Sequence, residues 1–302
     1  MQRALGVDLG GTKIYGVVAG EDGTVLGDDR RPTEAALGPD GVIARIVDSC
    51  RASLAGAGLT TADVAGVGIS SPGPCDPERG VVTDAPNLPG WHNIHVTKLV
   101  GEAIGLPALL ENDAAAACYG EFRFGAGRGK LHVLYLTLGT GIGGGIIIDG
   151  QLYRGASGAA GEVGHLVLVE EGPPCNCGGR GCLEALASGP AIAREAGAAN
   201  AEAVHAAAEA GDARAAAVIE RAGRFLGLGL TGLLNSLNPE ALILGGGLVA
   251  LGDRYIGTAM RTARERAFEQ VLRDATMTTA ELGGDRAGAL GAAALVLDSR
   301  TR

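Results

Sequence analysis

Three cysteines and one histidine stand close together near the middle of this 302-residue chain. Cys175, Cys177 and Cys182 are separated by glycines, which let a short loop turn tightly enough to aim three thiolates at one point. Thiolates that converge in this way suit Zn²⁺, which takes four nitrogen or sulfur ligands in a tetrahedron. His165, upstream in Gly-Glu-Val-Gly-His, is the candidate for the fourth ligand. A disulfide with one spare thiol is the alternative, but CxC is poor disulfide spacing and no secretory leader is evident, so we favour zinc.

Two turns rich in glycine and threonine could bind phosphates. The first is Gly10-Gly11-Thr12-Lys13, shortly after Asp8, and the second is Gly139-Thr140-Gly141. Such turns expose backbone N–H groups and a hydroxyl to a phosphate tail. Asp8 ends its predicted strand beside the first turn, where a carboxylate suits a hydrated Mg²⁺ that also contacts phosphates. The alternative is that both are ordinary hairpin turns, and their equivalent placement favours phosphate binding.

Two better-known phosphate motifs are excluded by their context. Gly6 to Lys13 nearly matches a P-loop, and Gly139 to Gly144 fits the pattern GxGxxG of dinucleotide-binding proteins. Both motifs require a helix directly afterwards. A strand is predicted after each turn instead, so neither assignment holds.

The elements around these turns form an internal repeat. Ala4–Val18 and Val133–Ile148 each read as strand, Gly/Thr turn and strand, and each is followed by an Asp-Gly turn and a third strand. Further strands are predicted over 64–69, 106–110 and 241–244, a loop over 245–247, and helices after Pro39, after Asn112 and over 215–237. Alternating strands and helices indicate a layered α/β protein with two related halves.

Composition narrows the class of protein. Hydrophobic residues make up 46% of the chain, charged residues 20%, and the net charge is −9. This acidic balance argues against nucleic-acid and anionic-membrane partners. The longest apolar run is too short to span a bilayer. A reduced, cytoplasmic protein is therefore expected.

Five motifs, in order along the chain, resemble those of the ROK family of bacterial sugar kinases and related repressors. They are Asp8-Leu-Gly-Gly-Thr-Lys13, Glu111-Asn-Asp113, Leu138-Gly-Thr-Gly-Ile-Gly-Gly-Gly145, Gly161-Glu-Val-Gly-His165 and the CxCGGxGCxE loop. The resemblance spans nearly the whole chain, and Ala85-Pro86-Asn87-Leu88-Pro89-Gly90-Trp91 is similar to the glucokinase branch. It implies the actin-like ATPase fold shared by hexokinase, Hsp70 and actin, in which two α/β domains related by duplication surround a cleft. The expected domains are a small one of residues 1–114 plus about 288–302, and a large one of residues 115–287 that carries the zinc loop.

The resemblance also implies roles for individual residues. Asp113 is implied as the catalytic base, at a strand-to-helix junction where we expect the helix dipole to keep it ionised near neutral pH. The implied sugar ligands are Asn87, Asn112, Asp113, Glu162, His165 and Glu184. The implied nucleotide-binding set is Asp8, Gly10, Gly11, Thr12, Lys13, Gly139, Thr140, Gly141, Gly245, Gly246 and Gly247. The implied metals are structural zinc on His165, Cys175, Cys177 and Cys182, and magnesium held indirectly by Asp8. The family usually has Asn where this chain has Ala115.

The expected reaction is therefore phosphorylation of a hexose, glucose above all, by Mg-ATP. N-acetylmannosamine, N-acetylglucosamine, fructose or allose could replace glucose, and polyphosphate could replace ATP. We expect a homo-oligomer, a dimer or a tetramer. A sugar-responsive repressor would need a DNA-binding domain, and only seven residues precede Asp8. An actin-like structural ATPase would have no use for a polyol site beside a zinc loop.

Overall fold

The computed structural model describes residues 2–85 and 87–299. Residue 1 and residues 300–302 of the expected small domain, and Pro86 of the glucokinase-like segment, lie outside these ranges. The strands are β1 Arg3–Leu9, β2 Lys13–Gly20, β3 Val25–Pro32, β4 Val67–Ser71, β5 Cys75–Asp76, β6 Val81–Asp84, β7 His92–Ile94, β8 Ala108–Asn112, β9 Val133–Leu138, β10 Ile142–Ile148, β11 Gln151–Leu152, β12 Ala241–Gly245 and β13 Thr276–Thr279. The helices are α1 Gly38–Gly56, α2 Val96–Ile104, α3 Asp113–Phe124, α4 Leu183–Ala187, α5 Gly189–Ala196, α6 Ala201–Glu209, α7 Ala213–Leu237, α8 Thr258–Arg266, α9 Glu269–Asp274 and α10 Gly284–Ser299.

The internal repeat is confirmed by two sheets with the same strand order. The first sheet runs β3-β2-β1-β4-β8 and the second β11-β10-β9-β12-β13. In each sheet the opening strand pairs antiparallel with the next strand and parallel with the fourth. The Asp149-Gly150 turn has positive φ at both residues, which suits a tight hairpin. A third, small sheet of β5, β6 and β7 extends the first half.

Some predicted boundaries were wrong. The strand predicted over 64–69 is β4, which starts at Val67 because pairing with β1 begins there, and the strand predicted over 106–110 is β8. The loop predicted over 245–247 is shorter, since Gly245 ends β12 and Gly247 begins a 3-10 helix that runs to Leu251.

Two helices rich in small residues cross between the sheets. Helix α10 packs on β1 and β4, helix α3 packs on β9 and β10, and the two helices pack on each other. A shared core holds side chains of both sheets and both helices, among them Val17, Tyr135, Ala117 and Leu290. The backbones approach so closely that a Cβ at Gly291 would overlap the carbonyl oxygen of Ala116. The crossing therefore links the two halves through backbone contact.

We expect Gly291→Ala to destabilise the protein. Forcing a methyl group into a closely packed crossing costs about 1–3 kcal/mol. The matched control is Gly232→Ala in α7, where a Cβ would meet no heavy atom within 4 Å. The control is expected to gain roughly 0.5–1 kcal/mol, because alanine favours helix more than glycine does. Urea unfolding of both variants checks this, and equal stabilities would contradict the described crossing.

Candidate active site and metal centre

The carboxyl ends of three parallel strands meet at one edge of the first sheet. Asp8 on β1 stands opposite Ser70 on β4, and Ser71 stands opposite Asn112 at the end of β8. Asp113 follows at once as the first residue of α3. Because these strands run parallel and adjacent, residues far apart in sequence gather at one edge. The structure thus brings Asp8 and Asp113 close enough to influence each other electrostatically.

Asn112 caps the start of helix α3. Its Oδ1 accepts hydrogen bonds from the backbone N–H groups of Ala114 at 3.0 Å and Ala115 at 3.2 Å. Its Nδ2 donates to the carbonyl oxygen of Gly73 at 3.4 Å. This amide therefore orients the start of the helix and the adjacent Asp113. Ala115, in the position where Asn is usual, is buried and takes part in this cap through its backbone.

Asp113 is partly buried at this sheet edge, and its burial raises its pKa. Its Oδ1 accepts a hydrogen bond from the N–H of Ala114 at 2.8 Å. Burial nevertheless raises the pKa of Asp113 above its ordinary value of 3.8, while the hydrogen bonds from Ala114 and Asn112 lower it and the charge of Glu162 raises it further. The helix start suggests a group that is ionised near neutral pH, and that expectation remains a prediction. Desolvation by burial has the larger effect, and a raised pKa gives a carboxylate that accepts a proton more readily.

We expect kcat/KM to begin to fall on the acid side of its profile at a higher pH than it would with an ordinary aspartate as the base. A base must be ionised, so the rate falls as pH falls through the pKa of Asp113, and that pKa is raised. A pH profile of kcat/KM at saturating Mg-ATP measures this limb. A rate that stays flat down to the ordinary value of 3.8 would contradict the assigned base.

Asp8 is a carboxylate whose negative charge is only partly offset, by the hydroxyl of Ser70 and the charge of Lys13. Ser70 Oγ donates to Asp8 Oδ1 at 2.7 Å. Burial raises the pKa of Asp8 to about 7, the Ser70 hydrogen bond lowers it, and the charges of Asp113 and Asp285 raise it. A cation near this group would favour its ionised form. One such carboxylate beside a phosphate turn fits the way Mg²⁺ is usually held, through its own waters and the phosphates.

Lys13 has an ionic partner that sequence reasoning missed. Its Nζ lies 2.7 Å from Oδ2 of Asp285, at the start of α10, and Arg30 approaches the same oxygen at 3.6 Å. Half of the Lys13 side chain is exposed. Lys13 therefore stands at the first turn with its charge partly neutralised. An acidic residue in the first turn of a helix was the available signal, but nothing in the sequence linked it to Lys13.

The first phosphate turn is closed by backbone and hydroxyl contacts. The N–H of Gly10 donates to the carbonyl oxygen of Lys13 at 2.9 Å, and Thr33 Oγ1 donates to the carbonyl oxygen of Gly10 at 2.7 Å. Thr12 is exposed at the tip. Asn87 packs directly against Gly11, so this predicted sugar ligand also borders the turn.

The second phosphate turn lies beside the glycines that follow β12. Gly245 pairs with Thr137 of the neighbouring strand β9, which places Gly246 and Gly247 next to the turn Gly139 to Gly141. Thr140 is exposed at its tip. In the described part of the chain, no hydrogen bond or ion pair joins this group to the first turn. The two predicted phosphate sites are thus separate, one on each half.

Glu184 ties the cysteine loop to the second turn. Its Oε2 accepts the N–H of Ile142, directly after Gly141, at 2.9 Å. Its Oε1 lies 3.9 Å from Cys175 Sγ. The sequence predicted a sugar ligand here, and that role remains a prediction. The backbone contact was not foreseen, because it joins positions 42 residues apart.

The predicted zinc ligands converge. One atom from each of His165, Cys175, Cys177 and Cys182 lies within 4.8 Å of every other, in the one such group of metal-ligating side chains within residues 2–85 and 87–299. Cys177 Sγ is 3.7 Å from Cys182 Sγ, and Cys175 Sγ is 3.6 Å from His165 Nδ1. A tetrahedral Zn²⁺ with ordinary bond lengths holds two sulfurs about 3.8 Å apart and a sulfur and a nitrogen about 3.6 Å apart. The donor set fits the metal.

The disulfide alternative is not what the structure shows. All six cysteines lie in the described residues, and each is a free thiol.

His165 points its two ring nitrogens in different directions. Nδ1 lies toward Cys175, whereas Nε2 lies 3.7 Å from Oε2 of Glu162. Glu162 is more than half exposed and lies directly before the 3-10 turn Val163–His165. The geometry suits an imidazole that binds metal with one nitrogen and leaves the other for a polar ligand beside Glu162. The charge of Glu162 also raises the pKa of Asp113, so these two carboxylates lie near each other, and we call the space between them the cleft.

These observations define the class of protein. Two α/β units of the same topology each carry one predicted phosphate turn, and a partly buried carboxylate lies at a strand-to-helix junction. This is the actin-like ATPase fold in the form used by sugar kinases.

Comparison with known proteins gives the family. The profile of the ROK family matches residues 4–299, and the chain belongs to that family. Glucokinase of Thermotoga maritima is 37% identical over 97% of both chains. The xylose repressor of Bacillus subtilis is 30% identical, over 98% of this chain and 77% of the repressor.

Solved structures agree with this assignment. The ROK hexokinase of Thermus thermophilus superimposes with a TM-score of 0.88 at 35% identity, covering 100% of both chains. The ROK family glucokinase of Streptomyces griseus, in complex with glucose and AMPPNP, superimposes with a TM-score of 0.82 at 34% identity, covering 98% of this chain and 99% of that one.

Proposed function

We propose that this protein transfers the γ-phosphoryl group of Mg-ATP to the terminal hydroxyl of glucose, giving glucose 6-phosphate. The observation that carries the proposal is the position of Asp113. Its recessed carboxylate, with a raised pKa, lies at the sheet edge beside Asp8 and faces the charge of Glu162. The likeness to glucokinases over nearly the full chain supports the same reaction.

In this proposal Asp113 orients the sugar hydroxyl and accepts its proton as the phosphoryl group transfers. Phosphoryl transfer depends on positioning and charge neutralisation more than on covalent help. Magnesium, when bound near Asp8, supplies neutralisation of phosphate charge. Asp8 would hold that ion indirectly, and Ser70 fixes the direction in which Asp8 points. The backbone N–H groups of the phosphate turns and of Gly245 to Gly247 hold the nucleotide.

The sugar is held by polar groups from both halves. Asn87 and Asn112 come from the first half, and Glu162, His165 and Glu184 from the second. Zinc is structural in this proposal. Held by His165 and the three cysteines, it would fix the positions of the sugar ligands that come from the second half. We propose further that residues 1–114 with about 288–302, and residues 115–287, are the two domains that close on the sugar.

Assembly and location belong to the same proposal. We infer a homo-oligomer, a dimer or a tetramer, that acts in the cytoplasm without nucleic acid or membrane. In the described residues no helix is both long and apolar enough to cross a membrane.

The second candidate is a sugar-responsive repressor, favoured by the 30% identity to the xylose repressor. The paired carboxylates Asp8 and Asp113 favour the kinase, because binding a sugar as an effector needs no base at the phosphate turns. Turnover with Mg-ATP separates the two candidates.

Glucose is expected to give the highest kcat/KM in a panel that includes N-acetylglucosamine, N-acetylmannosamine and fructose. Fixed groups that hydrogen-bond each hydroxyl discriminate strongly against a sugar that lacks one, because buried polar groups are then left unpaired. A coupled assay that detects ADP measures the four ratios. If another sugar exceeds glucose, the glucose assignment is wrong while the kinase assignment survives.

A further inference from the structure

Glu111 and Arg154 join the two halves at the edge of the cleft. Glu111 is the penultimate residue of β8 in the first sheet, and Arg154 follows β11 of the second. Arg154 donates to Glu111 Oε2 from Nε at 2.8 Å and from a terminal guanidinium nitrogen at 2.7 Å. The Glu111 side chain is 3% exposed. A carboxylate so deeply buried requires a partner, and its partner comes from the other half of the molecule.

Glu111 also reaches the segment that carries the candidate base. Its Oε1 lies 3.1 Å from the N–H of Asn112, the residue before Asp113. Burial raises the pKa of Glu111 and the charge of Arg154 opposes that rise, so the ionised pair depends on both members. One carboxylate thus connects the guanidinium of Arg154 to the backbone at the start of α3.

Arg154 begins a closed loop that lies over the first half. The N–H of Ala160 donates to the carbonyl oxygen of Arg154 at 3.1 Å and closes residues 154–160 into a loop. At its tip, a Cβ on Gly158 would lie 3.8 Å from both the carbonyl oxygen of Cys75 and Cδ of Pro77. The loop is mostly exposed between these anchors. Glu162 and His165 follow directly, so the path of the loop determines where these two side chains stand relative to Asp113.

We propose that Arg154 and Glu111 form a clasp that positions residues 154–160 across the cleft and thereby sets the affinity for the sugar. Both are positioning residues, since they act through Glu162, His165 and Asn112. The inference rests on the proposed function for the identity of the ligand. Its structural part, the ordering of the loop, does not depend on catalysis.

The test compares Arg154→Gln with Arg154→Lys and with Arg128→Gln. Arg128 is the matched control, because its ion pair with Glu281 is exposed and lies outside the cleft. We expect Arg154→Gln to raise the KM for glucose by about tenfold, the coupling seen within one hydrogen-bonded network. Its kcat should change by less than about threefold, as for a loss of ground-state binding. Lysine keeps the charge but loses the fork of the guanidinium, so an intermediate KM is expected.

A double variant separates loss of the ion pair from general misfolding. Glu111→Gln is measured alone and combined with Arg154→Gln. The double variant has two neutral amides that can pair, so its KM for glucose should rise less than the product of the two single rises. A rise in KM equal to that product would overturn the clasp.

Hydrogen exchange of the free protein separates this inference from the proposed function. In Arg154→Gln the amides of residues 155–160 should exchange faster than in the wild type, and in Arg128→Gln they should not. Unchanged exchange in Arg154→Gln overturns the clasp even in an active kinase. Faster exchange in a protein that phosphorylates no hexose would overturn the kinase and support the ordering role of the pair. A variant with reduced kcat and unchanged KM also contradicts the inference.

Discussion

Asp113→Asn is expected to reduce turnover by at least ~10²-fold, the low end of what general acid–base catalysis contributes. The substitution keeps the shape of the side chain and its contact with the N–H of Ala114. It removes the negative charge that accepts the proton of the sugar hydroxyl. Initial rates with glucose and Mg-ATP measure the effect.

The same variant should not lose stability, which separates catalysis from folding. The pKa of Asp113 is raised in the folded protein, so the ionised form is disfavoured there. Its cost to stability grows as pH rises above the unfolded pKa and is complete only above the folded pKa. Asn avoids that cost. A variant with near-normal turnover would remove Asp113 from the mechanism, and a variant that is inactive because it is unfolded would show a large fall in melting temperature.

Cys177→Ala is expected to release the zinc and raise the KM for glucose. Structural zinc can contribute on the order of 10 kcal/mol to the folding of such a loop. His165 is one of the predicted zinc ligands and Glu184 lies two residues after the last of them, so disorder in the loop displaces two predicted sugar ligands. Glu184 also holds the N–H of Ile142, so we expect the KM for ATP to rise as well.

Asn176→Ala is the matched control, since Asn176 is exposed in the same loop between two of the cysteines. It should keep one zinc per chain and both KM values. Metal analysis accompanies the kinetics of both variants. Fully active wild-type protein that contains no zinc would refute the structural role of the metal.

Much of this architecture was accessible from sequence because it is encoded locally. Strand, Gly/Thr turn and strand recur in both halves, and they predicted two related halves, which the two sheets of equivalent strand order confirm. Glycines between Cys175 and Cys182 predicted a loop that brings its thiolates together, and the four ligand atoms do converge. In both cases short-range geometry carries the information.

Features that depend on long-range packing were not accessible. The raised pKa of Asp113 was not predicted, because the helix start is visible in sequence whereas the burial of the side chain is not. Arg154 and Glu111 are 43 positions apart, and nothing in either segment predicts a contact with the other. Lys13 and Asp285 come from opposite ends of the chain and meet only because α10 returns to β1.

The most direct test of the central claim is phosphorus NMR of the protein with glucose and Mg-ATP. The account predicts one glucose 6-phosphate for each ADP, with no inorganic phosphate in excess. Hydrolysis of ATP without a sugar phosphate, or no consumption of ATP with glucose or any other hexose, would contradict it.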